Sequence, residues 1–317
     1  MLSFQTFRRR YLNESVSARG GGHVRILERP GRWMDARQLA AVVRDLQTVV
    51  RASVPAGELA YGAASGDKDR LSDSILTIVY ARDGRPIAFN ALAVLECELR
   101  GHPVEVLHLG LVMIDPSQRA SGLSGVLYGL TCFLVFARGR LRPVWVSNVT
   151  QVPAVFGMVA ESFDRVFPTS DPADRQSYDH LHLARQIMAR YRHVFGVGPE
   201  AEYDEERSVI VNAYTGGSDN LKKRFADAPK HRHEVHNEAC RRALDYDRGD
   251  DFLQLGRFTL RAAGMYYTRS AAVMSPGALG IRFALRSLEA LVAPVLQWLD
   301  ASQPMGDLRP AVSRSVR

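Results

Sequence analysis

Between Asp115 and Gly125 the chain reads Asp-Pro-Ser-Gln-Arg-Ala-Ser-Gly-Leu-Ser-Gly, a run suited to holding a phosphorylated group. An apolar strand pattern precedes it and an apolar helix pattern follows. Small residues let the backbone turn tightly and approach a ligand closely. The first amides of a helix have no intrahelical partners, and with the helix macrodipole they attract an anion. Arg119 adds a fixed positive charge at the loop mouth, and a bulky side chain at Ser121, Gly122 or Ser124 would obstruct phosphates. A second constellation is His231-Arg232-His233-Glu234-Val235-His236 with Cys240. Imidazole and thiolate are metal ligands, and on a helix His236 and Cys240 share a face. The HExxH pattern is absent, because Asn237 stands four residues after His233. The expectation there is a solvated, basic helix face and no metal. In Asp179-His180-Leu181-His182 the two imidazoles share a side on a strand and diverge on a helix.

The surrounding pattern predicts the scaffold. Residues 1–22 read as an irregular, flexible start ending in Gly20-Gly21-Gly22. His23–Leu27 reads as a short strand. Asp35 is placed to N-cap a helix through Arg51, with Leu39, Val42, Val43, Leu46 and Val50 at helical spacing. Residues 55–72 read as a loop. Ile75–Ala81 and Pro86–Glu98 read as strands joined by the hairpin signal Asp83-Gly84. Val104–Ile114 is apolar on both faces and predicts one central strand. A helix over Leu123–Ala137, a strand over Val144–Asn148 and a helix opened by Pro153 follow. Further on, the pattern predicts a helix over Asp179–Val194, a strand over Ser208–Tyr214, a helix over Asp219–Asp245 bent near Pro229, and a strand over Phe252–Leu260. Leu279–Leu299 reads as an amphipathic helix suited to core packing or to a homodimer contact. The tail from Gln303 reads as disordered. The fold class is mixed α/β: a central sheet with flanking helices over 23–168, then an α+β extension over 169–302 that completes the sheet, covers an acceptor or makes a dimer surface.

Arg119-Ala120-Ser121-Gly122-Leu123-Ser124 resembles the pyrophosphate loop of the GNAT (N-acetyltransferase-like) acyltransferase superfamily. That pattern is Arg/Gln-x-x-Gly-x-Gly/Ala after a strand ending near a proline. Pro116 stands at the usual distance, and Ser124 replaces the usual last residue. Downstream, Asn148, Pro153-Ala154 and Ser162-Phe163 resemble the family's strand-to-helix segment. The resemblance covers residues 23–168. It implies acetyl-CoA or a longer acyl-CoA as co-substrate, with its pyrophosphate on Arg119, Ala120, Ser121, Gly122, Leu123 and Ser124. It implies that the pantetheine arm pairs with backbone where the strand ending at Met113–Ile114 splays from its neighbour. Asn148 would orient substrate or cap the following helix. A small-molecule or peptide amine would attack the thioester directly, and a backbone amide would stabilise the oxyanion.

Direct attack needs a proton acceptor. His108, on the central strand, is the first candidate, since histidine titrates near working pH; it also reads as a hydrogen-bonded core residue. Glu105 is the second. With Glu96 and Glu98 it also reads as a solvated or edge carboxylate. The family's usual tyrosine, the proton donor to the thiolate, falls at Met158, which cannot donate. Two alternatives therefore stay open: a non-catalytic GNAT-like CoA-binding or regulatory protein, and an N-acyl amino acid synthase fed by an acyl carrier protein.

The 317-residue chain carries 41 basic and 34 acidic residues, and this net +7 favours anionic partners without choosing among them. The basic residues between Lys222 and Arg242 are interleaved with Asp227, Glu234 and Glu238. No helix-turn-helix or aromatic platform accompanies them, so nucleic acid is not the expected partner. Arg8-Arg9-Arg10 is followed by no long apolar run, and other apolar stretches are interrupted, so neither a signal peptide nor a membrane span is expected. Cys97, Cys132 and Cys240 read as reduced thiols of a cytoplasmic enzyme.

Overall fold

The β-branched and apolar runs of the sequence pair into one mixed sheet of eleven strands, flanked by seven α-helices among the described residues. The structure is a computed structural model that describes residues 11–18, 21–53, 62–118, 123–139, 141–270 and Ala284. The strands are β1 (Asn13–Ser17), β2 (His23–Glu28), β3 (Ser74–Tyr80), β4 (Pro86–Leu99), β5 (His102–His108), β6 (Val112–Ile114), β7 (Val144–Thr150), β8 (Asp164–Phe167), β9 (Glu202–Asp204), β10 (Val209–Val211) and β11 (Asp251–Phe258). The helices are α1 (Ala36–Ser53), α2 (Lys68–Ser72), α3 (Leu123–Arg138), α4 (Pro153–Ser162), α5 (Tyr178–Arg190), α6 (Glu234–Ala243) and α7 (Leu260–Ser270).

The sheet runs β1-β2-β3-β4-β5-β7-β11-β10-β9, with β6 also on β4 and β8 also on β11. Every pairing is antiparallel except β5 with β7, which α3 connects. The extension is thus closed into the sheet: β11 lies against β7 over seven residue pairs, from Phe252–Thr150 to Phe258–Val144. Alternation decides the two faces. Leu92, Val94, Leu107 and Val146 pack with Leu127, Leu130 and Phe133 of α3 and Val159 of α4. On the opposite face α1 packs on Leu76, Ile78 and Phe89 through Leu39, Val42 and Leu46. Beside it α5 packs on Leu95, Val106 and Trp145 through Leu183, Ala184 and Ile187. None of the helices described is long and apolar enough to cross a membrane.

Several expectations are met in detail. Asp35 Oδ1 accepts the Gln38 N–H at 2.8 Å at the start of α1. Gly84 supplies the positive φ of the β3–β4 hairpin. Others need correction. The start is not irregular throughout, since β1 pairs with β2 over five residues and buries Glu14 and Val16 on alternate positions. In 55–72, the stretch from Asp67 forms α2, its amide Asp69 N–H capped by the Asp67 carboxylate at 2.9 Å. The helix expected over Asp219–Asp245 forms only from Glu234, and the strand expected over Ser208–Tyr214 is confined to Val209–Val211. The amphipathic segment Leu279–Leu299, apart from Ala284, and the tail lie outside the described residues.

The largest difference is in the central strand. Val104–Ile114 is not continuous: β5 ends at His108, β6 begins at Val112, and both pair with β4. Gly110 sits in the break because a Cβ there would lie 2.4 Å from the Ala91 carbonyl oxygen. Replacing Gly110 with valine should lower stability by about 1–3 kcal/mol, the usual cost of overpacking. The check is the urea midpoint; an unchanged midpoint would show that the Ala91 backbone yields freely.

Candidate active site

Three residue pairs join β5 to β7: Val106–Trp145, Leu107–Val146 and His108–Ser147. Leu109 N–H then donates to Ser147 O at 2.7 Å, and no further bond joins the two strands among the described residues. Beyond that point β6 stays with β4 while β7 stays with β11, so the sheet opens between them. The opening has backbone walls. Ala91 N–H donates to Leu111 O at 3.1 Å and Asp115 N–H to Ile87 O at 2.8 Å. Strand groups alternate in direction, so Leu111, Met113 and Asp115 face β4 while Val112 and Ile114 face the opening. By the same parity Val149, two residues past Ser147, faces it from β7. Residues 110–114 and Val149 are half-exposed, although the strands around them are buried.

Polar contacts fix the rim. Ser53, at the end of α1, donates through Oγ to Ile114 O at 3.2 Å. Asp115 accepts from Ser117 N–H at 2.9 Å and Ser117 Oγ at 2.7 Å, and Arg85 Nη1 donates to its other oxygen at 2.7 Å. These bonds, Arg85 first, hold the Asp115 carboxyl down at about 2. The chain is therefore pinned where it leaves β6 and enters the segment before α3, whose N-terminus begins at Leu123. Arg119, Ala120, Ser121 and Gly122 lie outside the described residues, as does the side chain of Ser124; Leu123 is buried.

The other expected site residues separate. Met113 belongs to the β4 ladder and packs on the α1 side, so Val112 rather than Met113 shares the opening with Ile114. Asn148 is buried, and its Nδ2 donates to Gln254 Oε1 of β11 at 3.1 Å. Gln254 Nε2 in turn donates to Phe156 O at 3.3 Å and Pro168 O at 3.1 Å. Asn148 thus ties β7 to β11 and does not reach the opening. Glu105 is committed elsewhere. It accepts from Arg29 Nη2 at 3.0 Å, and that buried guanidinium also binds Asp73 and Glu96. It lies three residues from His108, roughly 10 Å along the strand. Met158 packs against the α3-side core. Asp179 and His180 lie on α5: His180 Nδ1 joins Ser177 in a capping box, and Asp179 binds Arg100 and Arg257.

His108 borders the opening from beneath. It is 3% exposed, its Nδ1 lies 3.1 Å from Ser147 Oγ, and its ring packs 5.0 Å from that of Phe195. Its Cδ2 would be 3.8 Å from a Cβ on Gly110. These are the partners of a core histidine, and burial pulls its pKa down to about 4. The signals the sequence offered for Val112, Gly110 and Ser53 were weak, since they act through backbone position and not through side-chain type. No protein-family model and no curated protein sequence matches the chain.

Burial of His108 has a consequence for stability. The unfolded chain takes up a proton as pH falls through the usual 6.5, and the folded chain resists until about 4. Stability is therefore full above 6.5 and declines as pH falls towards 4. Urea midpoints between pH 7.5 and 4.5 should fall more steeply in the wild type than in His108→Gln. Superimposable profiles would mean that His108 is not held neutral.

Proposed function

We propose that the chain is a GNAT-type N-acyltransferase that moves an acyl group from acetyl-CoA or a longer acyl-CoA to an amine. The observation that supports the reading is the opening between β6 and β7. It offers the half-exposed backbone edge of Val112 and Ile114, with Ile114 O held by Ser53, just before the segment that leads to the N-terminus of α3, and a helix N-terminus attracts phosphate. An extended arm carrying amides fits such an edge as an added strand would. Arg119 and the small residues to Ser124 would receive the pyrophosphate.

Within this reading each group has a defined task. Val112 and Ile114 hold the donor arm. The half-exposed backbone from Gly110 onwards supplies an amide to the carbonyl oxygen as the amine nitrogen attacks. A C–N bond forms, the C–S bond breaks, and the sulfur leaves as thiolate. His108 is sealed under Phe195 and with a pKa of about 4 is a weak proton acceptor. The assignment that suits it is positioning of β5 through Ser147, and the amine proton passes to water at the open mouth. Met158 donates no proton, so the thiolate also takes its proton from solvent. The half-buried methionine at that position favours the second reading, a CoA-binding protein without turnover.

The test is thermal stabilisation by acetyl-CoA, a long-chain acyl-CoA and free CoA, against an Arg119→Glu/Gly122→Trp variant. A ligand that binds only the folded chain raises the melting temperature with concentration. The wild type should shift by several degrees at saturating ligand and the variant should not. Binding with no acyl transfer to any amine would select the second reading. The absence of a shift with every CoA species would remove both.

A further inference from the structure

A site of a different kind lies on the other side of α4. Glu161, in its last turn, faces a loop and helix start that bring in three imidazoles. Glu161 Oε1 is 3.5 Å from His236 Nε2, 3.6 Å from His233 Nε2 and 3.7 Å from His231 Nε2. Hydrogen bonds between nitrogen and oxygen fall at 2.7–3.2 Å, so these distances are too long. They lie within about 0.1 Å of another geometry: ligands 2.0–2.2 Å from a tetrahedral centre are separated by about 3.3–3.6 Å. One ligand atom each from Glu161, His231 and His236 lies within 4.8 Å of the other two.

The arrangement is built, not incidental. Asn237 brackets the loop, accepting from His231 N–H at 2.7 Å and donating to His231 O at 3.0 Å and Glu234 Oε2 at 2.8 Å. Gly157, one turn before Glu161, leaves the space that the rings occupy; a Cβ there would meet His236 at 2.7 Å and His231 at 2.8 Å. Arg232 Nη2 holds the second Glu161 oxygen at 2.8 Å, which directs Oε1 at the rings. His236 is buried, and its Nδ1 has no hydrogen-bond partner among the described residues. Cys240 takes no part: it is buried in the apolar cluster between α4 and α6.

We infer that Glu161, His231 and His236 bind a divalent cation of the zinc class, with water in the fourth position, since His233 Nε2 accepts from Arg232 Nε at 3.0 Å. The donor set is imidazole and carboxylate, which suits zinc. Binding at His231 Nε2 moves the ring proton to Nδ1 and ends the 3.2 Å bond from His233 N–H. Glu161 is on the helix that follows β7, and the histidines belong to the segment between β8 and β11. The ion therefore cross-links the two, independently of the acyltransferase reading.

The experiment uses the full chain without an affinity tag, stripped by EDTA and dialysed. Zn2+ is titrated in competition with a chromophoric chelator, and Co2+ is followed by absorbance. One equivalent should bind, Co2+ should give the intense visible bands of a four-coordinate site, and Zn2+ should raise the melting temperature. Glu161→Gln and His231→Gln/His236→Gln should each weaken Zn2+ binding at least tenfold, with metal-free melts confirming that they fold. The inference is overturned if the wild type binds Zn2+ no more tightly than these variants, or if Co2+ keeps the weak spectrum of its six-coordinate aqua ion. Should a variant fail to fold, the wild-type Co2+ spectrum decides alone.

Discussion

The short parallel ladder between β5 and β7 is the constraint on which the rest of the architecture turns. Backbone groups in a sheet interior normally find partners, and leaving them without costs free energy. Here the ladder stops at Leu109 and Ser147 although β7 runs on to Thr150 and β6 follows β5 along β4. The gap cannot close, because each wall is held from its outer side. β6 is held by β4 across the Gly110 break, and β7 by seven pairs with β11. Asp115 with Arg85 and Ser117 fixes the exit from β6, and Ser53 fixes Ile114. The opening is thus a product of stronger antiparallel pairing on both flanks, which hold apart what a parallel pair alone would draw together.

The same logic explains why a strand from the far end of the chain belongs to the core. β11 has β7 on one side and β10 and β8 on the other, so the segment after α5 adds β9 and β10 to the sheet edge before β11 enters beside β7. Buried polar side chains tie the return. Asn148 and Gln254 pair across β7 and β11, and Gln254 also reaches α4 and the turn after β8. A buried amide left without its partner loses more than the bond is worth, so these residues specify register as well as stability. Arg29 does similar work at the opposite end of β5, gathering Asp73, Glu96 and Glu105.

Features carried by local pattern were legible in the sequence. The apolar spacing of α1, its Asp35 cap and the Asp83-Gly84 turn depend only on neighbours. So do the positions of β3, β4, β7 and β11. What depends on distant partners was not legible. Leu109-Gly110-Leu111 is as apolar as the strand around it, and only the Ala91 carbonyl reveals a break. β1 is polar in composition and forms because β2 offers an edge. Glu105 reads as a free carboxylate until Arg29 is placed beside it. The histidines at 231, 233 and 236 read as a solvated face because Glu161 is far away in sequence. Of the segment expected to hold phosphate, the charge and small residues were legible, but residues 119–122 are outside the described residues.

Helix α4 is where the two candidate sites come closest to depending on each other. Successive helical residues turn by about 100°, so Gly157 faces the imidazoles while Met158 packs into the core under α3. The GNAT resemblance puts a proton donor at Met158; this chain puts packing there, and Glu161, three residues later, lies beside the imidazoles. Since α4 follows β7 directly, an ion at Glu161 would restrain the strand that forms one wall of the opening. Under the proposed function and with an ion bound, α4 would brace the opening through β7 and take no part in the transfer.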